Sequence, residues 1–164
     1  MMKKLLQSIF CSRDISKNVS ALIYSDKIII QTNHQIKNSY WTQSSEVSLA
    51  DINTDDNELG KILMEHLEKS KVIKEPGPEK RKELNEEYKI KTGLKTIKSQ
   101  MKDSREVSVS LEKGILSFIP TDNGGTSGTN KGYRHKPEEK IETAVLNDLA
   151  LIGTSLRKAF SLCR

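Results

Sequence analysis

The residue types that most often perform chemistry are present in this chain, but their spacing matches no familiar site. The histidines and cysteines are His34, His66, His135, Cys11 and Cys163. None of the histidines belongs to an HExxH motif, and the cysteines lack the CxxC or Cys/His spacing of a zinc site or the pattern of a disulfide framework. We therefore expect two reduced thiols. His66, between Glu65 and Glu68 on a predicted helix, is expected to be a solvated or rim side chain and not a ligand.

Four carboxylates cluster in the first half of the chain, at Asp51, Asp55, Asp56 and Glu58. Their spacing lacks the glycine and the terminal glutamate of a calcium-binding EF-hand loop. Asp55 and Glu58 instead form a D-x-x-E capping box, in which side chains satisfy the free main-chain donors at a helix start. The cluster thus predicts the beginning of a helix, without a metal ion.

Nucleophile and phosphate-binding motifs are also missing from the sequence. No GxSxG motif occurs, and the glycine-rich loop over 121–132 contains neither GxGxxG nor GxxxxGK[ST]. The sequence therefore predicts no catalytic residue, no metal and no cofactor, and we do not expect an enzyme.

The charge balance favours polyanions only weakly. The chain has 27 basic and 22 acidic residues, a net charge of +5 and a pI near 9.1. Residues 71–102 are rich in lysine, but glutamates dilute the charge and no aromatic side chains interleave to stack on bases. A small basic nucleic-acid-binding module therefore remains the alternative function.

The first half of the chain is predicted to form three strands followed by a helix. β-branched and alternating residues predict strands over 21–24, 28–31 and 47–49, the first two as a hairpin, and a helix over 56–68 follows Asp55. Before them, residues 3–11 predict a short amphipathic helix, because their apolar run is too short for a signal peptide. No run reaches the roughly 18 apolar residues of a membrane span, so we expect a soluble, cytoplasmic protein.

The second half begins after a linker at 70–80, which contains Pro76, Gly77 and Pro78. Its elements are predicted as helices over 80–91, ended by Gly93, and over 94–101, strands over 106–111, 115–119 and 142–145, and a final helix from Asn147 or Asp148 with Ile152, Leu156 and Phe160 inward. Pro120 is expected to stop the strand before it, leaving 121–132 as a flexible loop.

The two halves repeat several spacings. Tyr40 precedes Gly60 by twenty residues and Tyr133 precedes Gly153 by twenty, and an aspartate stands five residues before each glycine. This predicts one domain over 1–164, with repeated strand-strand-strand-helix halves at about 20–70 and 106–162 joined by 71–105. The expected fold class is α/β in the broad sense (α+β), a mostly antiparallel sheet flanked by helices. Glycine inside a helix predicts close approach of that helix to the sheet.

Several segments together resemble the contact-dependent growth inhibition (CDI) immunity proteins. They are SRDISKN, HQIKNSYW, ELGKILMEHLEKS, the loop ending in GYRH, and the closing LRKAFSLCR. The resemblance implies a protein that binds and neutralises the C-terminal toxin domain of a cognate exported effector, commonly a nuclease and often one acting on tRNA. It implies no direct action on nucleic acid or membrane, and a monomer in a 1:1 complex with the toxin.

If the partner is a toxin domain, a set of side chains is expected to contact it. The acids could imitate phosphates, and exposed aromatic residues and arginines often anchor interfaces. The predicted contacts are Trp41, Asp51, Asp55, Asp56, Glu58, Tyr133 and Arg134. For Tyr133, as for Tyr40, the matched position in the repeat also favours packing within the fold.

Overall fold

The computed structural model describes residues 16–164, so the helix predicted over 3–11 lies outside the described residues. An eight-stranded sheet and four helices make up this part of the chain. The strands are β1 (Lys17–Ile23), β2 (Lys27–Ile36), β3 (Trp41–Asp51), β4 (Val72–Ile73), β5 (Arg105–Glu112), β6 (Ile115–Asn123), β7 (Tyr133–His135) and β8 (Ile141–Thr143). The helices are α1 (Asp56–Lys69), α2 (Pro78–Thr92), α3 (Ile97–Met101) and α4 (Leu149–Leu162), with a 3-10 turn at Pro137–Glu139.

The sheet is built from two hairpins that meet side by side. The strand order is β3-β2-β1-β5-β6-β7, with β4 beside β2 and β8 beside β6. The β1–β2, β5–β6 and central β1–β5 pairs are antiparallel, and only the short β2–β4 pair is parallel. The sheet is not closed into a barrel. The predicted class, a mostly antiparallel sheet flanked by helices, is confirmed.

The main core lies between the sheet and the helix pair α1 and α4. Alternate residues of the central strands, Val19 and Ala21 on β1 and Val107 and Val109 on β5, turn the same face toward these helices. The helices pack fully or nearly fully buried side chains against this face: Leu59, Leu63, Leu67, Ile152, Leu156 and Phe160. Each such burial stabilises the fold by about 1.5–3 kcal/mol. The predicted inward face of the final helix is thus confirmed.

A smaller apolar cluster forms on the opposite face of the sheet. Leu22 and Ile29 meet Tyr88 of α2 there, with Tyr24 and Tyr133 packed against them. Gly93 ends α2 with φ 73°, in the left-handed region where glycine is favoured, as predicted. No helix among residues 16–164 has the length and apolar character to cross a membrane.

Pro78 and Pro120 are placed differently from the prediction. Pro78 opens α2, since a first helical position needs no main-chain donor. Pro120 does not stop β6, which continues to Asn123. The main-chain oxygen of Pro120 accepts from Lys136 N, so the Pro120 nitrogen faces the same side of β6. That side lies between the part of β6 paired with β7 and the part paired with β8, where no ladder donor is required.

Helices α1 and α4 touch through their two glycines. A Cβ on Gly60 would overlap the main-chain oxygen of Leu149, and a Cβ on Gly153 would overlap that of Asp56. Each glycine of one helix therefore meets the first residue of the other. The predicted approach of these glycines to the sheet was wrong, since the close neighbour is the partner helix. The reciprocal contact supports the two-copy repeat, which stays a prediction.

We expect Gly60→Ala and Gly153→Ala each to lower the free energy of unfolding by about 3 kcal/mol, because the methyl group forces the helices apart. Alanine's intrinsic advantage in a helix, about 1 kcal/mol, is too small to compensate. Urea unfolding measures the effect. Gly77→Ala is the matched control, because a Cβ there meets no atom within 4 Å. Equal stability of all three variants would contradict the helix contact.

Candidate functional site

The predicted contact residues lie in three separate places. Trp41 begins β3 and Asp51 ends it, which puts them about 30 Å apart at the rise of an extended strand. The other three acids stand beside Asp51 at the start of α1. Tyr133 and Arg134 are on β7, at the opposite edge of the sheet from β3. The structure therefore does not bring the seven residues into one site.

Two of the four acids hold the fold together. The Asp55 carboxylate accepts from Glu58 N at 2.9 Å and caps α1 as predicted, but within the described residues no return hydrogen bond to the Glu58 side chain completes the predicted capping box. Asp56 accepts from Thr154 Oγ1 at 2.8 Å and from Arg157 Nε at 2.7 Å, and these hydrogen bonds lower the pKa of its carboxyl group. Both side chains thus stabilise the α1 terminus and its junction with α4.

The other two acids remain exposed. The Asp51 carboxylate accepts from Asn53 N at 2.8 Å in a local turn. Glu58 is half-exposed and lies 3.8 Å from the Lys61 ammonium, a surface pair of small energetic value. Asp55 is exposed as well, so Asp56 is the acid of the cluster that its partners on α4 hold away from a binding role.

The tyrosines paired by the sequence repeat have different environments. The Tyr133 hydroxyl bonds to that of Ser104 and its ring packs in the smaller cluster, which agrees with the packing interpretation. Tyr40, by contrast, is 48% exposed, so the packing interpretation was wrong for it. It lies in the turn between β2 and β3, and its hydroxyl donates to Glu75 at 2.8 Å.

Trp41 forms one wall of a cleft of about 290 Å³ between β3 and α2. Its other important linings are Gln31, Tyr40, Arg81, Leu84 and Asn85. Arg81 donates to the Tyr40 hydroxyl at 2.6 Å and also pairs with Glu75. Aromatic and arginine side chains around a concavity are the composition of interface hot spots. Among the predicted contacts, Trp41 has the setting best suited to binding.

A bulge in β3 produces this cleft. Gln31 and Asn33 on β2 pair with Val47 and Gln43 on β3, so β3 has three residues where β2 has one. Gln31 Nε2 crosses the gap and donates to Ser44 O at 3.0 Å. Sequence reasoning missed Gln31, although a polar residue at the end of the Ile28–Ile30 run was the available signal.

A second, larger cleft of about 570 Å³ lies where α3 meets the end of β6. Its charged linings are Lys98, Lys102, Asp103, Arg105 and Arg164. Within the described residues, Lys98 and Lys102 have no carboxylate within 4.0 Å. This cleft is the most cationic concavity described, and it is where the nucleic-acid alternative would act.

His66 is buried, which makes the prediction of a solvated side chain wrong. It is 2% exposed, because its position three residues after Leu63 places it on the inward face of α1. The Thr32 hydroxyl donates to the His66 main-chain oxygen at 3.0 Å and lies 2.8 Å from Nδ1, while Ser48 Oγ lies 2.7 Å from Nε2. Burial, aided by the Lys69 charge, lowers the pKa of His66 to about 4.

Glu106, on the other face of the sheet, has a pKa shifted in the opposite direction to that of His66. Burial raises the pKa of its carboxyl group to about 7, although a hydrogen bond from Ser20 lowers it in part. Burial raises the pKa of the hydroxyl groups of Tyr24, Tyr88 and Tyr133 nearby, and the charge of Glu106 adds to the rise. Neither His66 nor Glu106 faces either cleft, so both serve the fold.

Metal and thiol chemistry find no site in the described part of the chain. Residues 16–164 contain no group of three or more His, Cys, Asp or Glu side chains arranged to hold a metal ion. Cys163 is a buried free thiol, and burial raises its pKa. The concavities of this part of the chain include the Trp41 cleft, the cationic cleft and a third cleft of about 440 Å³ lined by His34, Glu46, Lys71 and Lys74.

We expect His66 and Glu106 to give opposite pH dependences of stability. His66 prefers to be neutral when folded, so its contribution of about 3 kcal/mol is present above pH 6.5 and is lost toward pH 4. Glu106 prefers to be protonated, so a similar amount, about 3 kcal/mol, is present below pH 4.5 and is lost through pH 7.

Urea unfolding of His66→Gln and Glu106→Gln between pH 4.5 and 6.5 separates the two contributions. Relative to the unmodified chain, His66→Gln should lose stability as the pH rises, because Glu106 then acts unopposed. Glu106→Gln should gain stability over the same window. Curves parallel to that of the unmodified chain would contradict these pKa shifts.

Comparison with known proteins identifies relatives. No curated protein matches the sequence. The fold is similar to NMB0488 from Neisseria meningitidis, described as a protein of unknown function, with 17% identity, a TM-score of 0.76, and coverage of 93% of this chain and 98% of that one. It is also similar to a chain of a CdiA-CT/CdiI toxin and immunity complex from Yersinia pseudotuberculosis, with 17% identity, a TM-score of 0.70, and coverage of 92% and 98%.

The family comparison extends over almost the whole described region. The model of the CDI immunity protein family, CdiI, matches residues 17–163, from the start of β1 to just beyond α4. The match therefore includes both hairpins of the sheet and all four helices. The chain belongs to the CDI immunity protein family.

Proposed function

We propose that this protein binds the C-terminal toxin domain of a cognate CDI effector and neutralises it inside the cell. The observation that carries the proposal is the match of the immunity family over residues 17–163. The similar fold in a toxin and immunity complex from Yersinia pseudotuberculosis supports it. The protein acts as a monomer in a 1:1 complex.

Neutralisation on this proposal is binding, without catalysis by this chain. The side chains most suited to acid–base chemistry have structural partners: His66 has Thr32 and Ser48, and Asp56 has Thr154 and Arg157. These contacts favour a rigid inhibitor whose function lies in its surface.

We further propose that the toxin is a nuclease that acts on tRNA or another polyanionic substrate. This chain would inhibit it sterically, by blocking access of that substrate. Imitation of phosphates requires several free carboxylates, but Asp55 and Asp56 are committed to α1 and α4. The net charge of +5 also opposes imitation of a polyanion. Asp51 and Glu58, together with Arg134, remain candidates for peripheral contacts.

The second candidate function is a nucleic-acid-binding module, and the cationic cleft is the observation in its favour. Lys98 and Lys102 are exposed there without neutralising carboxylates in the described chain. Phosphate contacts of this kind would give weak binding that falls steeply with salt. Among residues 16–164 no aromatic side chain lines the cleft to stack on a base, which favours the immunity function.

We expect co-expression of this chain to restore growth to cells that produce the toxin domain encoded beside it, because the complex sequesters the toxin. Colony counts with and without the chain measure protection. A non-cognate toxin domain is the control and should remain lethal, since the interface is specific.

A purified mixture provides the second readout. The chain and the toxin domain should elute from a sizing column as one 1:1 complex. Lack of protection together with separate elution would contradict the immunity function, and salt-sensitive retention of tRNA by the chain alone would favour the nucleic-acid module instead.

A further inference from the structure

We propose that the Trp41 cleft is the central toxin-binding site and that it receives a neutral hydrogen-bond donor, a carboxamide or a main-chain N–H, from a loop of the toxin domain. This inference rests on the proposed immunity function and adds to it the surface used and the chemistry recognised. Four features of the cleft carry it: a buried acceptor, an apolar wall, a braced rim and the absence of a lining carboxylate.

The buried acceptor is Gln31 Oε1. The side chain is 1% exposed and lines the cleft, and Oε1 has no hydrogen-bond partner among the described residues. Its orientation is fixed, because Ser44 O can only accept and therefore requires the NH₂ end of the amide. A buried acceptor without a partner costs about 1–3 kcal/mol, which a donor from a bound protein would recover.

The wall and rim suit a protein loop. Trp41 and Leu84 supply apolar surface to the same cleft, and the Tyr40–Arg81–Glu75 network braces the opening. Held in this way, the rim loses little freedom on binding, which preserves affinity. The volume of about 290 Å³ admits one or two side chains, the size of an anchor in the centre of an interface.

The charges around the cleft select a neutral donor. The charged lining side chain is Arg81, whose guanidinium is already paired with Glu75. No carboxylate lines the cleft within the described residues, and the Glu75 carboxylate at its opening is already paired with Arg81, so a buried lysine or arginine of the partner would lack an unpaired counter-ion. An amide N–H satisfies Gln31 without that penalty.

Two variants test the site against the toxin domain encoded beside this chain. Trp41→Ala should weaken binding about thirtyfold, as expected for a hot-spot aromatic residue. Gln31→Met, which removes the acceptor at similar length, should weaken binding about tenfold. Thermal melting of each free variant establishes that it is folded. If Gln31→Met is not folded, the binding of Trp41→Ala alone decides the test.

Asn85→Asp tests the charge of the occupant, because it adds a carboxylate to an exposed lining position. A neutral donor predicts an affinity that is unchanged or lower. An increase of tenfold or more would show a cationic occupant and overturn the proposed chemistry.

The paired change Lys98→Glu and Lys102→Glu in the cationic cleft is the control, and it should alter affinity less than about twofold. Unchanged affinity of folded Trp41→Ala, or a large loss in the control alone, would overturn the site. In both cases the unmodified chain still binds the toxin domain, so the proposed function stands; if the unmodified chain does not bind, it is the function that fails.

Discussion

The main-chain contact between α1 and α4 is the constraint on which the rest of the structure depends. Gly60 and Gly153 let each helix reach the first turn of the other, and Asp56 reinforces the junction through Arg157 and Thr154. Because these helices cover one face of the sheet together, their separation fixes how deeply β1 and β5 are buried where the two hairpins meet. The core thereby becomes a rigid platform.

That platform leaves the other face and the edges of the sheet free for binding. On the far side, α2 packs through Tyr88 and also borders the bulged part of β3. The bulge would weaken an ordinary edge strand, yet here Gln31 fills the gap in the ladder and a cleft opens beside Trp41. The proposed toxin-binding site thus lies on the face of the sheet opposite the main core.

The regular elements could be predicted from the sequence because their signals are local. The hairpin turns, the Asp55 cap and the Gly93 helix end all depend on neighbouring residues. His66 could also have been placed correctly, since it shares the helical face of Leu63. Its polarity misled the prediction, because the hydroxyl groups that satisfy it come from distant strands.

The candidate site was harder to predict, since it depends on long-range pairing. Trp41 was identified from its residue type, but neither the bulge nor the orphan oxygen of Gln31 has a local signature. The acids were predicted to bind a partner, but Asp56 has a structural role instead. It pairs with Arg157, which lies 101 residues later in the chain and so has no local signature. Exchange of main-chain hydrogens with and without the toxin domain tests the account most directly. The account predicts slower exchange on binding in residues 40–45 and 81–85 and little change in 97–102; protection confined to 97–102 would contradict it.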